Sequence, residues 1–152
     1  MLRSQFTDAL KTAMLAKDER TTGTVRMIMA KLKDLDIAAR PKGLTDGIPE
    51  SEIATMLQGM IKQRRESIEL YKQGKREDLV KQESEEIAVI ERFLPKQMNE
   101  DEMKAAIAKA IAATGAAGIK DMGKVMGELK KTYAGQMDFG KAGALVKGQL
   151  GA

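Results

Sequence analysis

Apolar residues recur along this chain at steps of three and four, the period of one helix face. Leu2, Phe6, Ala9, Leu10, Ala13 and Met14 form a stripe that predicts a first helix over residues 2–17. Asp18 is placed to cap the segment that follows. Val25, Ile28, Met29, Leu32 and Leu35 line a second helix, which ends near Arg40-Pro41 because proline disfavours helical backbone at the residue before it. Residues 42–48, with Gly43 and Gly47, form a loop. Pro49 suits a first helical position, where its missing N–H costs nothing. Ile53, Leu57, Met60, Ile61, Ile68 and Tyr71 mark a third helix reaching about Gln73, a rod of roughly 40 Å at about 1.5 Å per residue. Gly74 is a C-cap candidate. A fourth helix starts near Arg76, with Glu77 and Asp78 in its first turn, where acids complement the dipole. Leu79, Val80, Glu83, Ile87, Ile90 and Leu94 follow its inner face, and Pro95 stops it. A turn this short folds the third and fourth helices into an antiparallel hairpin, with the first two packed on its base.

Beyond Pro95 the pattern changes. Asn99, with Glu102 three residues on, makes a capping-box variant ahead of an Ala-rich helix over residues 100–113, its inner face Met103, Ile107 and Ile111. Residues 114–118 break it, and two short helices follow. The expected fold is therefore all-α: a four-helix N-terminal domain with a long hairpin over residues 1–95, then a compact three-helix module over residues 96–152, hinged on Pro95.

The last two helices open alike, with Asp121-Met122-Gly123-Lys124 and, 17 residues later, Asp138-Phe139-Gly140-Lys141. Structurally, each Asp caps its helix, Met122 and Phe139 pack at the first turn, and Gly123 and Gly140 allow close helix approach. Functionally, a helix N-terminus with a nearby lysine suits an anion. The capping Asp competes for the same amide donors, which leaves the side chains of Lys124, Lys130, Lys131, Lys141 and Lys147 as the phosphate contacts.

Charge sharpens this division. Residues 1–95 carry 17 basic and 16 acidic side chains; from Met103 onward there are eight basic residues, all lysine, against three acids. A solvated helical surface and a footprint for a polyanion both fit that excess. The hairpin tip adds Lys72, Lys75 and Arg76 as candidate phosphate contacts. In the stretch from Lys62 to Glu66, Arg64 falls on the inner stripe, which suits helix packing or an internal ion pair, with phosphate engagement the alternative. Glu83, Glu86 and Glu91, with Lys81 and Arg92 nearby, read as a solvated face bridged at i, i+4 rather than as a catalytic dyad.

Much chemistry is missing. The chain has no histidine and no cysteine, which removes the commonest general base and the usual zinc ligands. The Gly-Lys pairs at 74, 123 and 140 lack the upstream glycine and following Ser/Thr of a phosphate-binding loop. No Gly-x-Ser-x-Gly occurs. Neither a catalytic residue, a metal nor a cofactor is expected. Absent thiols, the lack of an apolar leader and the lack of about 18 consecutive apolar residues point to a cytoplasmic protein with no membrane span.

Several segments resemble the YqeY family: Lys17 to Arg20 with Val25 to Ile28; Tyr71 to Leu79 running on through Glu83–Glu86 to Phe93-Leu94-Pro95; and Asp121-Met122-Gly123-Lys124-Val125-Met126-Gly127. The resemblance spans nearly the whole chain. One departure is Thr21-Thr22-Gly23-Thr24, where bulkier residues are expected; Gly23 weakens the second helix by about 1 kcal/mol relative to Ala. That family is similar to the C-terminal tail of GatB, a subunit of the glutamine-dependent amidotransferase acting on misacylated Glu-tRNA or Asp-tRNA. The resemblance implies a GatB/YqeY-like helical accessory chain, linked to a carbon–nitrogen ligase with glutamine as amido-N-donor but not catalytic alone. Nothing here resembles the amidase Ser–Ser–Lys centre or the cradle domain.

The leading expectation is a tRNA- or RNA-binding module acting by shape and phosphate contact, because few aromatic residues are available to stack on bases. The alternative is an adaptor docking on an amidotransferase or an aminoacyl-tRNA synthetase through exposed methionines such as Met122, Met126 and Met137.

Overall fold

The computed structural model of the chain describes residues 1–151. All regular structure among them is helical: α1 (Leu2–Leu15), α2 (Glu19–Ala39), α3 (Glu50–Gln73), α4 (Glu77–Glu91), α5 (Glu100–Thr114), α6 (Met122–Thr132) and α7 (Phe139–Gly151), with short 3-10 turns at Arg40–Lys42 and Ile119–Asp121. They group into one compact unit from Met1 to Leu94 and a second beginning at Pro95.

In the first unit the periodic stripes become a single core. Phe6, Val25, Ile28, Ile53, Leu57 and Ile90 are essentially inaccessible to water. Asp18 caps α2 by accepting hydrogen bonds from the Thr21 amide and hydroxyl. Phe6 of α1 meets Phe93 edge-on, with ring centroids 4.9 Å apart, so α1 closes over the end of α4. Helices α3 and α4 form the expected antiparallel hairpin. Pro49 sits at the N-cap of α3, one residue before the predicted first helical position. Gly74 caps α3, but the left-handed residue of the turn is Lys75, at φ 56°. α4 ends four residues before Pro95, in a turn through Phe93.

A polar clasp holds the loop between α2 and α3. Arg3 donates to both carboxylate oxygens of Asp36, at 2.8 and 2.9 Å, and to the Ile48 carbonyl, while the Ile48 amide donates to Asp36. Nearby, the Leu2 amide donates to the Glu50 carboxylate. Gly47 has φ 98°, and a Cβ there would come within 2.7 Å of the Asp36 carboxylate, so glycine is required on both counts.

The acids of α4 are not a solvated face. Glu86 is buried and accepts from Arg64 Nε across the hairpin at 3.0 Å, with Glu83 Oε2 3.9 Å from the same nitrogen. Gln82 donates to Glu86. Arg20 of α2 donates to Glu85 at 3.1 Å and lies 3.9 Å from Glu86. Glu91 pairs with Arg65 of α3. The expected i, i+4 bridges give way to pairs between helices because this side of α4 faces α2 and α3. The internal ion pair is thus the reading of Arg64 that the fold supports.

The second unit has its own core of Ile107, Val125, Leu129, Met137, Ala142 and Val146. Asn99 and Glu102 complete the reciprocal capping box of α5. The Met98 amide donates to the Gln136 carbonyl and the Gln97 side chain to that of Gly135, pinning the loop that carries Met137 inward.

Removing one partner from a buried pair strands a charge. Arg64→Met is therefore expected to cost about 3 to 5 kcal/mol, while Arg64→Met with Glu86→Leu lies closer to the parent, measured by urea unfolding. The Glu83 carboxyl is held above its ordinary range, first by burial and then by the Glu86 charge, with Arg64 opposing. Its share of stability is present below the unfolded-state value and lost as pH rises through the folded-state value. Glu83→Gln is expected to raise the melting temperature at neutral pH and to match the parent below about pH 4.

Candidate nucleic-acid interface

All eight predicted contact residues are exposed, but the structure separates them by how each charge is partnered. At the hairpin tip Arg76 donates to both carboxylate oxygens of Asp78, at 3.1 and 3.2 Å, which raises the guanidinium pKa and lowers that of the carboxyl. Lys72 lies 3.6 Å from Glu69. Only Lys75 of the three makes no ion pair among the described residues. Residues 69–78 hold three cations and three carboxylates, so the tip has no net charge.

The second unit is different. Lys124 reaches Asp121 at 3.9 Å, whereas Lys130, Lys131, Lys141 and Lys147 make no ion pair among the described residues. Its acids are engaged elsewhere. Asp138 accepts from the Gly140 and Lys141 amides and caps α7. Glu128 accepts from the Thr132 hydroxyl. Asp121 accepts from the Ala117 amide, the largest cause of its lowered pKa, ahead of the nearby Lys124 and Lys120. At about 100° per residue, Lys124 and Lys131 fall within about 20° of each other on α6, opposite Val125 and Leu129, while Lys141 and Lys147 stand about 120° apart on α7.

Three details of the expected repeat change. Asp138 is a true N-cap, but Asp121 makes no side-chain bond to its own helix and instead ties back the preceding loop. The two helices are entered differently: a 3-10 turn already leads into α6 and takes the place of a cap. Met122 and Phe139 pack on the core as expected. Gly123 and Gly140 do not permit close helix approach, since a Cβ at Gly123 would meet nothing and one at Gly140 would meet only the capping Asp138. The proposed methionine docking surface is also absent: Met137 is fully buried, and Met122 and Met126 are half-buried against the second core.

Sequence reasoning passed over Lys109 and Lys120, which are exposed and likewise make no ion pair among the described residues. For Lys109 the signal was local, since alanines occupy every position three or four residues away.

A model of YqeY-like proteins matches residues 3–150. The chain belongs to the YqeY-like family. Membership makes it an accessory module without catalytic machinery of its own, in a role linked to RNA or protein partners. Three relatives are each named "Altered inheritance of mitochondria protein 41, mitochondrial". That of Kluyveromyces lactis is 36% identical over 84 residues, covering 55% of this YqeY-like chain and 43% of the relative. Lachancea thermotolerans gives 35% over 85 residues, covering 56% and 43%. Eremothecium gossypii gives 36% over 96 residues, covering 59% and 50%. The match thus spans at most half of each of these relatives.

Those names overturn the cytoplasmic expectation. It rested on missing thiols and a missing apolar leader. Neither bears on mitochondrial import, whose leaders are amphipathic and arginine-rich. Among the described residues no helix is long and apolar enough to cross a membrane.

Because Asp138 alone bonds its own helix, Asp138→Ala is expected to cost about 1 kcal/mol of stability. It should also speed amide exchange in the first turn of α7. Asp121→Ala should leave exchange in α6 unchanged and speed it at Ala117.

Proposed function

We propose that this YqeY-like chain is a non-catalytic RNA-binding accessory module, with tRNA as its ligand and the second unit as its contact surface. One observation carries the reading: Lys130, Lys131, Lys141 and Lys147 have no acidic partner, while the neighbouring acids serve as a cap, a loop tie and a hydroxyl acceptor. Lysine heads of this kind contact phosphate as flexible point charges and carry no sequence information. Buried aromatic residues cannot stack on bases: Phe6 is 1% exposed. Shape and phosphate spacing therefore set the selectivity. The tip plays a minor part, through Lys75, because Arg76 and Lys72 already have carboxylate partners. An amidotransferase or an aminoacyl-tRNA synthetase is a natural partner for such a module only as the enzyme that shares its tRNA.

Bulk tRNA followed by fluorescence anisotropy tests this. For about four phosphate contacts, affinity is expected to fall roughly 50- to 150-fold between about 50 and 200 mM salt. The combined variant Lys130→Gln, Lys131→Gln, Lys141→Gln and Lys147→Gln should lower the slope of log K against log salt by about four, roughly one for each phosphate contact. Arg76→Gln should change affinity less than twofold, roughly, as a residue already paired. Absence of binding at low salt, or an unchanged slope in the quadruple variant, overturns the reading.

A further inference from the structure

A cleft of about 480 Å³ opens between α1 and α2 in the first unit. Phe6, Met29, Leu32 and Ile37 make its apolar lining, and Ile37 is 45% exposed, unusual for so large an aliphatic side chain. Lys33 and Arg40 stand on the rim, exposed and without an ion pair among the described residues. The one carboxylate in the lining, Asp36, is engaged by both guanidinium nitrogens of Arg3. The cleft therefore presents two uncompensated positive charges beside an apolar floor.

The spacing is that of a helix-binding surface. Met29, Lys33, Ile37 and Arg40 follow one another at steps of four, four and three along α2. Eleven rises of about 1.5 Å give a strip of roughly 16 Å, three turns of a helix laid alongside. An apolar stripe flanked by cations fits the apolar face of an amphipathic helix flanked by carboxylates. A nucleic acid fits poorly, because its phosphates would be set against Met29 and Ile37 and no exposed aromatic ring lines the cleft to stack a base. The other cleft of this unit, about 430 Å³ beside Leu44 and Met56, has Lys42 and Glu52 on its rim and no preference for one sign of charge.

We propose that the α1–α2 cleft docks an acidic amphipathic helix of a partner protein, apolar residues seated on Met29 and Ile37 and carboxylates on Lys33 and Arg40. This surface is independent of the RNA contacts assigned above and replaces the methionine surface that the fold buries.

The full chain is titrated with a fluorescein-labelled synthetic peptide of four helical turns, leucines at i, i+3 and i+7 and glutamates on the flanks. A matched peptide carrying lysine for glutamate is the control. The glutamate peptide is expected to bind saturably and the lysine peptide roughly tenfold more weakly or not at all. Lys33→Glu with Arg40→Glu should reverse that preference, and Ile37→Asp should weaken both peptides; all these positions are exposed, and thermal unfolding verifies the fold. No binding of the glutamate peptide, or an unreversed preference in the charge-swapped variant, overturns the proposal. So does self-association that Ile37→Asp abolishes while the peptide fails to bind, which makes a second copy the occupant. Loss of bulk tRNA affinity in the charge-swapped variant without peptide binding overturns it in favour of a phosphate surface. Failure of the RNA reading alone leaves the peptide result untouched.

Discussion

The first unit is organised around a guanidinium and a carboxylate that left water together. Arg64 and Glu86 retain 11% and 7% of their side-chain exposure and meet at 3.0 Å. Each lies eleven residues from Lys75 at the hairpin turn, so the pair forms only when α3 and α4 are in register about that turn. Arg64 also donates to the Met60 carbonyl of its own helix, and Gln82 donates to Glu86, so neither charge relies on the other alone. Such a pair contributes little net stability compared with apolar residues, but a slipped register would strand both charges. Arg20 extends the cluster to α2, where the same logic sets the seating of the first helical pair on the second.

The two units use positive charge in opposite ways. Every arginine of the chain lies before Pro95, and most engage a carboxylate: Arg3 with Asp36, Arg20 with Glu85, Arg64 with Glu86, Arg65 with Glu91, Arg76 with Asp78. After Pro95 every cation is lysine, and most have no such partner. The chemistry suits the division. A planar guanidinium fits a carboxylate with two bonds and tolerates burial, whereas a hydrated ammonium on a flexible stem serves better as a surface charge. Arg26, Arg40 and Lys33 are the exceptions that leave positive charge on the first unit, and two of them border its apolar cleft.

The helices were legible from the amino-acid sequence because they depend on neighbours within four residues. The stripes through Phe6, Ile28, Leu57, Ile90, Ile107 and Leu129, the Asn99–Glu102 box and the Asp18 cap are local patterns, and each appears where periodicity puts it. The candidate interface was only half legible. Composition singled out the lysines, but it could not tell that Arg76 and Lys72 are paired and that Lys130 and Lys147 are not.

What the sequence alone determined is the all-helical character, the ends of most helices and the chemistry the chain lacks. All follow from short-range backbone preference and from residue types that are present or absent. Tertiary structure decided the partner of every charge, the burial of Met137, the loop tie made by Asp121 and the left-handed turn at Lys75. These depend on residues far apart in sequence being brought within bonding distance. An ion pair or a buried side chain is a property of two surfaces meeting, and no single stretch of chain contains both.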